Sequence, residues 1–407
     1  VMIYYQEEIL NGSYPVLKNN LIPVIISNTG VVTKADTSKE WYSYEKKNWA
    51  NSVILKDESV VYKNGETIPE SNIESYFVWI PKYSYQLWDL GNYSSLTSIS
   101  DKTQEIKIKF GTSNTSDSIS GECTTPFENN QGIAGSSGNC KVGDYMTHPA
   151  FLAFGTTGLW VGKFETGYDG ATSTTAAQVN SVDTSKIVIK PNVYSWRNMT
   201  VGNMFKNSYD YQRNLDSHMM KNTEWGSVAY LQHSKYGSRV NLTINNNLNY
   251  VTGFSNGINY SNSLSISSST TNNYSGIYDM SGGSLEYMAG CGSATGGSSE
   301  ITSLYPNFFS DNTYTKYWDK YTSTSYTNYN NRILGDATGE IGPFGNGNGY
   351  YSSSWYNGFA QFVSPSSSWF LRSGTWNINT GTSIFAFDDY VGIAYSQISY
   401  RIVLDAN

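Results

Sequence analysis

From Asn241 to Asn331 the chain is mostly Ser, Asn, Tyr and Gly, with almost no apolar periodicity. So long a polar stretch inside one domain is unusual and tends to be functional. The bias extends over the whole chain. Its 56 Ser, 35 Thr and 41 Asn make 132 of 407 residues, while Ala, Glu, Leu and Lys are sparse. Long helices are excluded by that supply. What remains is a compact, loop-rich α+β protein.

Charge narrows the field further. Lys and Arg number 26 and Asp and Glu 33, a net charge of −7 with a pI near 5.1. No basic cluster stands out, which excludes nucleic acid, since phosphate binding needs Lys and Arg. No apolar run approaches the roughly 18 residues of a membrane span. The 11 Trp, 16 Phe and 34 Tyr supply ample burial and argue against disorder. Tyr, Ser, Gly and Asn are also the residues of antibody-type binding loops, where Tyr gives area at low entropy cost. Recognition is therefore preferred over compositional drift in an extracellular protein. The chain opens on Val1 without an intact signal peptide, which fits a processed export signal or anchor.

The length allows two to three domains, or one large domain with a small accessory one. Residues 1–70 read as a small β-rich attachment or assembly module, with strands in LIPVIIS and after Asn28-Thr29-Gly30, and a high local share of Lys and Glu. Tyr62 to Asn72 reads as a boundary, and residues 71–407 as the main domain. Strands are predicted at Tyr76–Pro81, at Tyr83, Tyr85 and Leu87, in EIKIKF, as a pair within Phe151–Phe164, and in the terminal segments WFLRSGTW, SIFAFDD and SYRIVLD. The best helix is Thr223–Leu231, with Thr223 as N-cap and Trp225, Val228, Ala229 and Leu231 as its apolar face.

Candidate chemistry is sparse. His148, His218 and His233 are far apart, and no C-x-x-C exists, so zinc is not expected. Calcium needs no motif, and Asp279, Asp388 and Asp389 are candidates for it, against the plainer reading of solvated turn carboxylates. There is no G-x-S-x-G elbow and no phosphate loop. A bridge between Cys123 and Cys140 would staple a Gly-, Ser- and Asn-rich loop by roughly 3 kcal/mol; the alternative is two unrelated thiols. Cys291 has no obvious partner.

Five segments in order resemble one family. LWVGKFET (159–166) is similar to its "FxMGKYEVT" strand, and HMMKNTEWGSVAYL (218–231) to its "LPTEAEWEYAA" helix. YDMSGGSLEY (278–287) is similar to "DMxGNVWEW", FLRSGTW (370–376) to "xxRGGSW", and SYRIV (399–403) to "GFRLV". The family is the formylglycine-generating-enzyme-like (sulfatase-modifying-factor) one, a variant of the C-type lectin fold. The likeness spans roughly residues 76 to 407. It implies structural roles for Trp225, Asp279, Glu286, Arg372 and Arg401, as packing aromatic, turn-tying carboxylates and buried donors.

The enzyme of that family binds copper through two late cysteines. None follows Cys291 here, and copper(I) wants soft sulfur ligands. The expectation is a non-catalytic fold relative without a cofactor, calcium aside. The resemblance extends to the variable proteins of diversity-generating retroelements, phage tail-tip adhesins among them, which display ligand contacts between "R-G-G" and a final "FR". In this chain the window is Thr375–Ser399, and the implied binding residues are Trp376, Asn377, Asn379, Asp388, Asp389, Tyr390, Tyr395 and Ser396. The expected function is recognition of a protein or glycan on another surface, by an extracellular, cell-surface or virion protein. The expected assembly is a homo-oligomer or filament through the N-terminal module. A structural filament subunit is the alternative, and a formylglycine-type oxidase the remoter one.

Overall fold

A computed structural model describes residues 11–87, 103, 105–111, 140, 143–292, 299–321, 332–338, 352–374 and 381–405. The architecture is α+β. Among the described residues two eleven-residue helices, α1 Val201–Tyr211 and α2 Asn222–Gln232, and a single turn at Ser299–Thr302 stand beside many short strands. The strands that position the site are β1 Ile22–Ile26, β2 Val32–Lys34, β3 Asn51–Leu55, β4 Ile73–Pro81 and β5 Gly158–Gly162. They continue with β6 His218–Met219, β7 Leu285–Gly292, β8 Trp369–Arg372, β9 Phe387–Tyr390 and β10 Ile402–Leu404.

The first sheet is antiparallel throughout, in the order β6-β10-β5-β4-β3-β1-β2. Its centre is β4 against β5, where Trp79 faces Trp160 with ring centroids 5.2 Å apart. Such cross-strand aromatic pairs are a main source of sheet stability. The second sheet is mixed. β7 runs antiparallel to β8, and β8 antiparallel to β9. Asp319–Tyr321 and Ile398–Ser399 lie parallel to β7. Met220 joins the sheets: its N–H donates to Arg401 O, and its carbonyl accepts from Ala289 N in β7.

The boundary drawn at residue 70 cuts the first sheet between β3 and β4. Residues 22–55 are edge strands of the main sheet, and their core runs on into that of β4 and β5. The Lys- and Glu-rich character there belongs to solvated turns between these strands. β7 is the second departure, since it lies inside the stretch read mostly as loop. Seven of its eight residues are buried, and small ones (Ala289, Gly290, Cys291, Gly292) let neighbouring chains approach from both faces. A strand buried on both faces has no alternation to reveal it. In Phe151–Phe164 only the second strand forms, because Pro149–Phe151 is a 3₁₀ turn.

α2 begins one residue before the predicted start. Its first turn is closed by Glu224, whose Oε1 accepts from Lys221 N at 2.8 Å, while Thr223 N donates to Asp319 at 2.7 Å. Thr223 is thus inside the helix and not its cap. All eleven residues of α2 are buried, the mark of a helix surrounded by protein. Gly226 is where it touches the chain at Gly335: a Cβ there would lie 1.9 Å from Gly335 O. Gly226→Ala is expected to cost about 1 to 3 kcal/mol through overpacking, read as a lower urea midpoint at unchanged slope. An unchanged midpoint would contradict this packing.

Between Asn241 and Ser284 little regular structure forms. Side chains take over the role of ladders. Asn245 Nδ2 donates to Val251 O, Ser268 Oγ to Thr243 O, Asn273 Nδ2 to Lys47 O, and Thr270 Oγ1 accepts from Ile277 N. Short uncharged polar residues are suited to this, since they bond the backbone locally. No helix among the described residues is long and apolar enough to cross a membrane.

Candidate functional site

The structure brings Trp225, Asp279, Glu286, Arg372 and Arg401 into one buried cluster, each no more than 1% exposed. Arg401 lies just before β10, and Glu286 is in β7. The guanidinium grips the carboxylate with two bonds, 2.9 and 3.0 Å, and also donates to Gly162 O and Asp279 O. The Trp225 ring has Arg372 at 5.7 Å and Arg401 at 5.9 Å from its centroid, while its Nε1 donates to Ile384 O. Arg372 Nη2 donates to the carbonyls of Asp336 and Ala337.

Asp279 is not the solvated turn carboxylate, nor the open calcium ligand, weighed from the sequence. Its Oδ1 accepts from Asn245 Nδ2 (2.9 Å) and Gly253 N (2.8 Å). Its backbone is left-handed, with φ +60°. Burial raises its carboxyl above the usual range, against the pull of Arg401. Glu286 is raised by burial to about 7, with Arg401 opposing. Glu165, which the sequence offers with Glu286 as a carboxylate pair, joins them. Its carboxyl faces Ser284 N, and burial, then Asp279 and Glu286, push it far up. Lys163, two residues earlier, is also buried, its Nζ held by Asn51 Oδ1, Tyr274 O and Gly276 O. These groups are turned on one another and on backbone, as a scaffold.

The loop from Val391 to Gln397 follows β9, and five of its carbonyls are pinned. Val201 N donates to Gly392 O, Tyr287 Oη to Ile393 O, Asn198 N to Tyr395 O, and Leu285 N to Gln397 O, all at 3.0–3.1 Å. Arg197 Nη1 donates to Ser396 O, and its Nη2 to Thr174. Gly392 permits the close approach, with φ +83° and a Cβ position 2.9 Å from the Trp369 ring. With the carbonyls committed inward, Ile393 and Tyr395 are each 40% exposed. Tyr390, half-buried at the end of β9, has its ring 5.5 Å from Tyr395. Ser396 is half-buried.

Asp388 and Asp389 sit in β9. The sequence offers them as calcium candidates, binding residues or solvated turn carboxylates; the last does not hold, since Asp388 is half-buried and Asp389 buried. Asp389 accepts from Gln361 Nε2 (2.6 Å) and Ser364 Oγ (3.2 Å). Burial lifts Asp388 to about 8 and Asp389 to about 6. Among the described residues no three His, Cys, Asp or Glu side chains stand together as a metal site requires. Trp376, Asn377 and Asn379 lie outside the described residues, as does Cys123. Cys140 is disulfide-bonded, and Cys291 is a buried free thiol.

The residues that hold the loop were not found from sequence. No local pattern in the sequence marks Arg197 or Asn198. Asn198 has a left-handed backbone, φ +67°, which Asn tolerates better than most residues. No protein-family model matches the chain, and no curated protein matches it in sequence.

Proposed function

We propose that the chain is a non-catalytic recognition protein that meets a protein or glycan on another surface through the pinned loop and its neighbours. The observation that carries this is the set of five loop carbonyls, from Gly392 to Gln397, bonded to donors of Val201, Tyr287, Asn198, Arg197 and Leu285. A loop fixed this way pays little ordering entropy on binding, and presents Tyr390, Ile393 and Tyr395 as preorganised anchors. Asp388 and Ser396 border them, and Trp376, Asn377 and Asn379 belong to the same reading.

The finer fold, a C-type-lectin-like domain of the formylglycine-generating-enzyme type, is part of this proposal. Its support is the meeting of motif residues distant in sequence around Arg401. The absence of activity is likewise proposed, because the carboxylates there are committed to Arg401 and to backbone N–H groups. An extracellular, cell-surface or virion setting fits the uncharged, Tyr-rich composition.

The test is retention of the labelled chain on an array of extracellular glycoproteins and glycans. Tyr390→Ala/Tyr395→Ala is expected to reduce retention at least ten-fold, since truncated aromatic anchors commonly cost 2 kcal/mol or more, about thirty-fold. The melting temperature should stay nearly unchanged. Undiminished retention by a folded double variant would exclude this loop.

A further inference from the structure

A recessed surface lies beside β1, β2 and β3 of the first sheet. It is a cleft of about 630 Å³ between the turn before β1, the loop after β3 and the residues that follow α1. That volume is of the order small ligands occupy. It shares no residue with the loop at 391–397.

Its walls carry amides. Asn20 Nδ2 donates to Glu58 Oε1 at 2.7 Å, and Asn19 Nδ2 to Asn214 O at 3.2 Å; Gln212 stands beside them. Asn20 Oδ1 is a buried acceptor without a hydrogen-bond partner, and such an atom has a standing demand for a donor. The rim is aliphatic: Val61 is 87% exposed and Val60 39%. Below them Tyr62 is held by Asn72 Nδ2, which bonds its hydroxyl at 2.9 Å.

The lining is balanced in charge, with Lys34 against Glu58, and Lys34 Nζ is engaged by Asn64 Oδ1 at 2.7 Å. An ionised ligand is therefore not favoured. An extended peptide is disfavoured for another reason. It would add to the free edge of β2, but that edge is taken, with Lys34 N donating to Glu66 O and Ile68 N to Val32 O. Amides that both donate and accept suit hydroxyl groups, which do the same. An aliphatic rim suits the C–H face of a sugar ring. We propose that this cleft binds a neutral carbohydrate.

Saturation-transfer NMR on the full chain tests this with mannose, galactose, N-acetylglucosamine and cellobiose as probes. At least one is expected to receive saturation at its ring protons. Val61→Trp, which fills the rim, and Asn20→Ala, which removes the amide, should each weaken binding at least ten-fold. Tyr395→Ala should leave it unchanged, which separates this site from the loop. Melting curves verify that each variant is folded, and either cleft variant alone suffices for the comparison. No transfer to any of the four sugars overturns the proposal. So does transfer that both cleft variants preserve, or stronger binding of glucuronic acid or glucosamine than of the neutral sugars.

Discussion

Arg401→Met is expected to remove about 3 to 5 kcal/mol of stability, the usual cost of breaking a buried ion pair from one side. Total stabilities are about 5 to 15 kcal/mol, so the variant should sit at or near the folding threshold. Arg401 is the cation that faces Glu286, Asp279 and Glu165, all three of them unexposed. Without it, Glu286 loses both of its guanidinium bonds, and the carbonyls of Gly162 and Asp279 lose their donors. Arg401→Lys is expected to be nearly as harmful, since an ammonium cannot reproduce the fork geometry. Arg401→Met combined with Glu286→Met should recover a good part of the loss, because apolar replacement of a whole pair is far milder than removal of one partner. Urea unfolding followed by tryptophan fluorescence measures all three. A cost below about 1 kcal/mol for Arg401→Met would show that the cluster is not held by this arginine.

The second large effect concerns pH. Asp388 is raised to about 8, and Asp389 and Asp405 to about 6, with burial the leading cause in each. Glu165 and Asp279 are raised as well. A carboxyl with a raised folded pKa keeps its proton in the folded chain after the unfolded chain has lost it. Its contribution is complete below the unfolded value, about 4, and is lost as pH rises through the folded value. The loss therefore runs from about pH 4 to about pH 8. His218, raised by Glu224 against the effect of burial, has the same sign. Two groups oppose. Burial lowers His148 to about 3 and His233 to about 4, so their contribution is present above about 6.5 and lost on acidification.

The raised carboxyls outnumber these histidines. The melting temperature is expected to peak near pH 5 and to fall by pH 8.5. The stability difference should be on the order of a few kcal/mol, each pKa unit being worth about 1.4 kcal/mol. Asp388→Asn/Asp389→Asn should flatten the alkaline half of the profile. Scanning fluorimetry between pH 4.5 and 9 reads both, and a melting temperature that climbs from pH 5 to pH 8 would reverse the assignment.

The legible parts of the chain were those with a local pattern. Alternating or continuous Val, Ile, Tyr and Trp located β1, β4, β5 and β10, and Trp225 with its apolar neighbours located α2. The Asp279, Glu286, Arg372 and Arg401 positions came from motif resemblance, and the structure sets them around one tryptophan. β7 was not legible, because burial on both faces erases alternation. Nor was the shared sheet that makes residues 22–55 continuous with β4, since strand pairing is a non-local choice. Arg197 and Asn198 act on a loop nearly two hundred residues later, and no spacing rule reaches that far. Asp388 and Asp389 misled because an acidic pair reads as solvent-facing, whereas the strand pairing of β8 with β9 draws it inward.

The placement of β10 has a consequence for how the protein is made. β10 pairs with β5 on one side and β6 on the other, yet it is synthesised after both, and Arg401 precedes it by one residue. A nascent chain made only as far as Ser399 has a gap in its main sheet and carboxyls without their cation. Those gaps close only when the segment past Ser399 emerges. Translation that stops short of it should yield a chain that holdase chaperones retain and proteases clear, so the main sheet reports on the synthesis of this strand.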